Sequence, residues 1–357
     1  MNRRSEHSRR EFLTGRGVAR ALTGKLQQWA DQRVRQATDA ASLHVQATRR
    51  AMACEFEVQY HADDVQAAEP VMQALDLIEE IETQLTIYRD TSEVIEINSS
   101  APDRPLSVEP HLFALLEQAG RLFRETHGAF DITSTPLSRI WGFLRRQGRL
   151  PTAEEIEAAL ARVGFDRVVL DDSNRTIRYL EPGVEINLNS IGKGYALDRA
   201  AALLDEQGVK DYLWHGGRSS VLARGRNRAD GRECWTLGLP DPLEPGRRLA
   251  EFYLRDRALG TAGGGTQFFE HEGERYGHVI DPRTGWPAQG VYTATTLAPS
   301  AAEADALATA LFVLGPAAAA EYCAAHPKVA GVLVGPAAEG GVSLHSWGLG
   351  ADDWRRL

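Results

Sequence analysis

Apolar side chains recur at intervals of three and four residues in three segments of the chain, the spacing of an amphipathic helix. The first predicted helix covers residues 65–85, and the second runs through residues 112–123 and ends at Gly128. A Thr-Ala-Glu-Glu capping box at residues 152–155 opens a third helix, which we expect to end near Gly164. Three helices of ordinary length are therefore predicted in the first half of the chain.

Other segments have the composition of strands. Residues 55–60 alternate polar and apolar side chains, which is typical of a half-buried strand. Two hairpins are predicted, the first from residues 168–170 with 176–180 and the second from 267–269 with 275–276. Further strands are predicted at residues 212–214, 235–239, 292–297 and 329–334. Hairpins mixed with helices favour an α+β fold in one compact body over a doubly wound sheet.

The segment from Ser300 to Gly315 is apolar on every face of a predicted helix. Ser300 and Glu303 form a capping box, and Gly315 followed by proline ends the helix. A helix of this kind is buried, yet it carries Asp305 and Thr309 one turn apart on the same face. Either Asp305 is hydrogen-bonded to Thr309 or held in a hidden ion pair, or the two residues supply oxygen ligands to a hard cation such as Mg²⁺.

Residues 185–195 predict a strand, a loop of small residues and a helix that continues to Leu204. Backbone amides at a helix N-terminus can bind an anion, and Lys193 adds a positive charge there. The spacing is not that of a Walker A loop, because Asn187 stands at its first glycine position and Gly194 replaces the Ser or Thr after the lysine. The alternative interpretation is a tight turn with an exposed lysine.

A third candidate segment spans residues 277–287. The sequence Asp-Pro-Arg-Thr-Gly at 281–285 predicts a turn that ends a strand, with His278 and Ile280 on one side of that strand. Histidine is suited to proton transfer near neutral pH, although a single histidine is often structural. Residues 260–265 are rich in glycine and would let backbone approach a ligand closely.

Amino-acid composition and charge exclude several classes of protein. The 357 residues are 43% hydrophobic and 25% charged, with a net charge of -9, as expected of a soluble globular protein. The first 50 residues hold eleven Arg or Lys against four Asp or Glu, a net of +7, which leaves -16 for the other 307. Such an acidic body argues against nucleic acid as a partner. Three widely spaced cysteines indicate neither a disulfide framework nor a zinc site, and so favour a reducing compartment.

The basic N-terminal segment, residues 1–47, is predicted to be separate from a catalytic body at 48–357. Its Ser-Arg-Arg-Glu-Phe-Leu at 8–13 is similar to a twin-arginine export signal, but Arg16, Arg20 and Lys25 interrupt the apolar stretch that such a signal needs. The segment is either a solvated or partner-binding arm or an unusual targeting sequence. We expect a cytoplasmic location, with a periplasmic one as the alternative, and no membrane span.

Four motifs in order resemble the FAD:protein FMN transferases, the ApbE family. They are Ala129-Phe130-Asp131-Ile132-Thr133, residues 191–198 (IGKGYALD), residues 278–282 (HVIDP) and residues 304–309 (ADALAT). The resemblance extends from about Arg50 to Gly315. It implies a T-fold-like antiparallel sheet with helices, and a Mg²⁺-dependent enzyme that moves the FMN half of FAD onto a Thr or Ser hydroxyl of an acceptor flavoprotein and releases AMP.

The resemblance also implies roles for individual residues. Asp305 and Thr309 would bind Mg²⁺ through side chains and Ser190 through its carbonyl, while His278 would be the catalytic base. The residues expected to contact FAD are Met52, Tyr88, Ala129, Phe130, Asp131, Asn187, Lys193 and Ile280.

Departures from the family pattern keep two other hypotheses open. Non-family residues stand at Ala53, Cys54, Asn187, Asn189, Ser190, Arg218 and Ala262. The first alternative is a Mg²⁺-dependent FAD pyrophosphatase, in which water replaces the hydroxyl. The second is a flavin-binding or assembly protein of the same fold that is catalytically impaired.

Overall fold

The computed structural model describes residues 43–228, 233–265 and 267–357. Seven α-helices lie in these ranges. They are α1 (Ala68–Leu85), α2 (Glu93–Ser100), α3 (Pro110–Glu125), α4 (Thr135–Ile140), α5 (Ala153–Leu160), α6 (Gly192–Glu206) and α7 (Ala301–Ala325). Short 3-10 helices occupy Phe143–Arg145 and Phe165–Arg167.

Sixteen strands lie in the same ranges, and every pairing between them is antiparallel. The eight-stranded sheet has the order β1-β2-β6-β7-β10-β13-β14-β15. Its strands are β1 (His44–Ala51), β2 (Cys54–His61), β6 (Tyr212–Gly216), β7 (Ser220–Arg224), β10 (Arg257–Gly263), β13 (Thr293–Ala298), β14 (Ala330–Pro336) and β15 (Val342–Trp347).

The other eight strands form three small sheets. One has the order β16-β9-β8, from Trp354–Arg356, Arg248–Leu254 and Trp235–Pro240. Another has the order β3-β5-β4, from Leu106–Ser107, Thr176–Tyr179 and Val168–Asp171. The third is the hairpin of β11 (Phe268–His271) and β12 (Glu274–Gly277).

The large sheet is buried on both faces. On β10, Ala258 belongs to the core cluster that contains α1, α3, α6 and α7, whereas its neighbour Leu259 belongs to a cluster with β8 and β9. This alternation is the two-residue period of a strand. Helices therefore cover one face and the β8-β9-β16 sheet covers the other. The prediction of an α+β body with antiparallel sheets packed against helices is confirmed.

The predicted helices and hairpins are present. The helix predicted at 65–85 is α1, and the capping box at 152–155 is complete, with Thr152 and Glu155 each accepting from the other's backbone amide. Both hairpins form, as β4–β5 and β11–β12. Local side-chain spacing and turn residues were enough to place these elements.

Helix α7 is buried as predicted, with an interruption at Gly315, whose φ of 71° and ψ of -179° are not helical. The Ser300 hydroxyl accepts from Glu303 N at 3.2 Å. The Glu303 carboxylate pairs with Arg121. Among the described residues α7 alone is long and apolar enough to cross a membrane. In this fold it packs against β10, β13 and β14.

The strand predicted at the start of 185–195 is wrong. The backbone of Ile186 is held by one side chain, since its amide donates to Asn98 Oδ1 at 2.8 Å and its carbonyl accepts from Asn98 Nδ2 at 2.9 Å. The amide of Asn187 donates to the Ile132 carbonyl at 2.8 Å. These partners replace a strand ladder, and no local pattern in 185–195 reveals them.

The N-terminal boundary also differs. Strand β1 begins at His44, so the first strand of the large sheet starts inside the segment assigned to the arm. The remainder of that assignment, including the twin-arginine-like sequence, lies outside the described residues.

We expect Gly260→Ala to lower the free energy of unfolding by about 1–3 kcal/mol, the usual cost of overpacking. Gly260 lies on the helix side of β10, and a Cβ there would lie 2.3 Å from the Ala304 carbonyl oxygen in α7. Gly263→Ala on the same strand is the matched control, because its Cβ would meet Thr293 Cγ2 at an ordinary 3.6 Å. Denaturant unfolding measures both variants, and equal stabilities would show that α7 can shift freely.

Candidate active site

One cavity of about 490 Å³ collects the predicted site residues. Eleven of the twelve line it, the exception being Met52. They are Tyr88, Ala129, Phe130, Asp131, Asn187, Ser190, Lys193, His278, Ile280, Asp305 and Thr309. Residues separated by more than 200 positions in sequence therefore face a common space.

Met52 is the residue that the cavity does not include. It forms with Ala53 the two-residue turn between β1 and β2, where Ala51 pairs with Cys54. Both turn residues have positive φ, 48° and 58°, a conformation that costs a non-glycine residue about 1 kcal/mol or more. Met52 is partly buried against the core.

A charged centre lies where α6 and α7 meet. Lys193 Nζ lies 3.7 Å from Asp305 Oδ2, and the same oxygen accepts from Gly194 N at 2.8 Å. Asp305 is 5% exposed, so these contacts replace the water that a buried carboxylate loses. Both contacts use Oδ2, which leaves Oδ1 available to another ligand. The hidden ion pair that the sequence allowed is therefore present.

The Ser190 carbonyl lies just before α6, and among the described residues it accepts no backbone hydrogen bond from a loop or helix cap. The Gly194 amide is one of the donors that a helix N-terminus leaves unpaired, and it donates to Asp305. Thr309 Oγ1 contacts the Asp305 carbonyl at 3.5 Å, a distance too long for a strong O–H hydrogen bond, and also lines the cavity.

These oxygen atoms suit a hard cation. Across residues 43–228, 233–265 and 267–357, no three His, Cys, Asp or Glu side chains are grouped to bind a metal. The candidate donors are instead one carboxylate, one hydroxyl and one carbonyl. Mg²⁺ is typically bound by one or two carboxylates together with substrate phosphates and water. The donor set therefore fits Mg²⁺ if a phosphate-bearing substrate completes it.

His278 has a defined tautomer. Its Nδ1 lies 3.1 Å from the Gln267 carbonyl oxygen, and because a carbonyl only accepts, Nδ1 carries the ring proton. Nε2 then holds the lone pair of a neutral ring. Burial lowers the pKa of His278 below its ordinary 6.5. The ring is consequently neutral at pH 7 and able to accept a proton at Nε2.

The backbone around His278 differs slightly from the prediction. His278 follows β12 rather than lying within it, and Ile280 forms an isolated bridge with Pro287. The predicted turn is present, with the amide of Gly285 donating to the Asp281 carbonyl at 2.8 Å. The indole of Trp141 donates to the Gly285 carbonyl at 2.8 Å and so ties this turn to the end of α4.

Two further polar residues in the cavity support the loops around it. Asp131 Oδ1 accepts from both the amide and the hydroxyl of Thr133, at 2.8 and 2.7 Å, while burial raises the Asp131 pKa to about 6. Asn187 Oδ1 accepts from Asn189 N at 3.0 Å. An asparagine at position 187 therefore still supports the turn into Ser190 without a negative charge.

Sequence reasoning missed several residues that line the cavity. Thr135, at the start of α4, is 3% exposed, and among the described residues its Oγ1 has no hydrogen-bond partner. Ser134, Ser138 and Gln267 line the same space. Ser134 and Thr135 directly follow the Phe-Asp-Ile-Thr motif and Ser138 lies three residues further on, so extending the motif by five residues would have found all three.

Comparison with known proteins finds several FAD:protein FMN transferases similar to this chain. A family model described as the ApbE family matches residues 52–333. An FAD:protein FMN transferase of Haemophilus influenzae is 32% identical over 247 residues, covering 67% of this chain and 70% of the relative. One from Vibrio cholerae is 34% identical over 243 residues, covering 67% and 71%.

Solved structures agree with the sequence matches. The flavin transferase ApbE from Vibrio cholerae superimposes with a TM-score of 0.75 at 27% identity, covering 85% of this chain and 97% of that one. The ApbE protein of Thermotoga maritima gives 0.75 at 28% identity, covering 84% and 96%. The family match includes every residue of the cavity described above. The resemblance inferred from four motifs is confirmed, and the chain belongs to the ApbE family.

Proposed function

We propose that this protein is an FAD:protein FMN transferase that moves FMN from FAD onto a Thr or Ser hydroxyl of an acceptor flavoprotein and releases AMP. The observation that carries the proposal is the arrangement in one cavity of Lys193 beside Asp305, with a neutral His278 facing the same space. Pyrophosphate cleavage needs charge neutralisation and a base for the attacking hydroxyl, and these residues have that chemistry.

Asp305, Thr309 and the Ser190 carbonyl would hold Mg²⁺. When bound, the cation would neutralise charge on the pyrophosphate of FAD and on the departing AMP. Among the described residues, no hydrogen bond to Asp305 Oδ1 or to the Ser190 carbonyl is found, which supports this assignment because oxygens without a protein partner are suited to a ligand.

Lys193 would bind the pyrophosphate directly. The chain from residue 51 onward has a net charge of -16, so a dinucleotide with two phosphates would be repelled without local positive charge. Lys193 is half-buried at the cavity wall, where its charge is less screened than in water. It would hold the FMN-side phosphorus in line with the acceptor hydroxyl.

His278 would act as the general base. The acceptor hydroxyl donates its proton to Nε2 as its oxygen bonds to the FMN-side phosphorus, and the bond from that phosphorus to the bridging oxygen breaks. The bridging oxygen and its electron pair leave with AMP. The Gln267 carbonyl, which accepts from Nδ1, keeps the ring in the required tautomer and stabilises the imidazolium that forms.

The transfer assay uses the full chain, FAD, Mg²⁺ and a purified apo-acceptor domain, with the acceptor's Thr→Ala variant as the matched control. We expect the acceptor to gain the mass of FMN while its variant gains none, with one AMP released per acceptor modified. Free FMN and AMP with an unchanged acceptor would instead support a pyrophosphatase. FAD that is bound but intact would support an impaired flavin-binding protein and overturn the proposal.

A further inference from the structure

Helices α6 and α7 each bind the first turn of the other through a carboxylate. Asp198 of α6 accepts from the amides of Ala301 and Ala302 in α7, both at 2.8 Å. Asp305 of α7 accepts from the amide of Gly194 in α6, also at 2.8 Å. These amides belong to the unpaired donors that every helix N-terminus presents. Each helix therefore depends on the other to satisfy its N-terminal amides.

The two backbones are in direct contact at this crossing. A Cβ on Gly194 would lie 2.0 Å from the Ala301 carbonyl oxygen and 2.6 Å from Ala302 N. The residues that Asp198 binds are thus the same residues that touch Gly194. A displacement of the first turn of α7 would necessarily change the contact between Gly194 and Asp305.

Among the described residues, no other side chain accepts from the amides of Ala301 and Ala302. Ser300 caps Glu303 N only, and the Glu303 carboxylate is engaged with Arg121 instead of closing a capping box. Asp198 lies in the second family motif, IGKGYALD, yet it does not line the cavity of the proposed reaction. It contacts neither Lys193 nor Thr309 in any hydrogen bond or ion pair found among the described residues.

We propose that Asp198 is a positioning residue for the active site, which holds the first turn of α7 against α6 and thereby places Asp305 beside Lys193 and the Gly194 amide. The catalytic consequence rests on the proposed function, while the structural linkage does not. Because burial raises the pKa of Asp198 to about 6, measurements at pH 8 keep its carboxylate ionised.

Hydrogen exchange resolved to single amides tests the linkage without substrate. In Asp198→Ala we expect at least tenfold faster exchange at Ala301 and Ala302, and also at Gly194, which Asp198 does not touch. Thr152→Ala is the matched control, since it removes an N-cap of similar type from α5. Faster exchange confined to Ala301 and Ala302 would mean that Asp198 is only a local cap and would overturn the proposal.

The catalytic consequence has a separate readout. We expect Asp198→Ala to raise the Mg²⁺ concentration for half-maximal FMN transfer at least tenfold, with Thr152→Ala within twofold of the wild type. Asp198→Asn, which keeps one acceptor oxygen and the side-chain size, should be intermediate, and it replaces the alanine variant if that variant does not fold. A wild-type Mg²⁺ requirement in a folded Asp198 variant would overturn the inference.

The two proposals fail in different ways. If the wild-type chain transfers no FMN, the proposed function fails while the exchange experiment still decides the linkage. If the wild type transfers FMN and Asp198→Ala matches it in both Gly194 exchange and Mg²⁺ requirement, only the inference fails.

Discussion

Asp305→Ala is expected to lower the rate of FMN transfer by about 10²- to 10³-fold, the usual loss when a group that stabilises transition-state charge is removed. Asp305 is the one carboxylate in the proposed Mg²⁺ donor set. Its removal also leaves Lys193 without its partner at 3.7 Å and the Gly194 amide without its acceptor at 2.8 Å. Transfer at saturating FAD, followed by the intact mass of the acceptor, measures the loss.

Asp305→Asn separates charge from hydrogen bonding. Its side-chain oxygen can still accept from Gly194, so we expect wild-type stability in thermal unfolding but a loss of transfer close to that of the alanine variant. Excess Mg²⁺ should not restore it fully. Transfer within fivefold of the wild type in either variant would contradict the role assigned to this carboxylate.

His278→Ala is expected to lower the turnover rate by about 10²- to 10⁴-fold, the range typical of a lost general base. Because the ring is proposed to act on the acceptor proton, the affinity for FAD should change by less than threefold. Flavin fluorescence titration measures affinity, and single-turnover mass spectrometry measures transfer. A large loss of FAD affinity with unchanged turnover would instead indicate a binding residue.

The pH profile gives the same residue an independent test. A base must be unprotonated to act, and burial lowers the pKa of His278 below 6.5. The wild-type rate should therefore fall as the pH is lowered, with the midpoint of the fall below pH 6.5. The residual rate of His278→Ala should lack that acid limb. An acid limb centred above pH 7 would show that another group limits the reaction.

The parts of the fold that sequence alone predicted are those fixed by local interactions. The capping box of Thr152 with Glu155 and the two hairpin turns lie within a few residues of the elements that they define. The buried helix at 300–315 was evident because its polar positions are so few. Short-range propensity and periodicity decide such elements.

The features that sequence missed depend on distant partners. The backbone of Ile186 is held by Asn98, which lies 88 residues earlier, and this contact turned a predicted strand into an irregular segment. The amides of Ala301 and Ala302 are capped by Asp198 from another helix. The pattern of apolar and polar residues in a short segment does not show which distant polar side chain will hydrogen-bond to its backbone amides and carbonyls.

The site residues were predicted by a different route from the helices and strands. Eleven of the twelve line one cavity, but no property of the residues taken alone joined positions as far apart as Tyr88 and Thr309. These distant positions were assigned to one site because four motifs, in order, resemble those of a known family. Met52, assigned by the same route, lies in the hairpin turn and does not line the cavity. Its role in binding flavin remains a prediction.

A crystal structure of the His278→Ala variant with FAD and Mn²⁺ would locate the cation and the flavin in one experiment, because Mn²⁺ replaces Mg²⁺ at oxygen sites and scatters anomalously. We expect one anomalous peak at coordination distance from Asp305, Thr309 and the Ser190 carbonyl, with the pyrophosphate of FAD against Lys193. A peak elsewhere, or FAD bound outside this cavity, would contradict it.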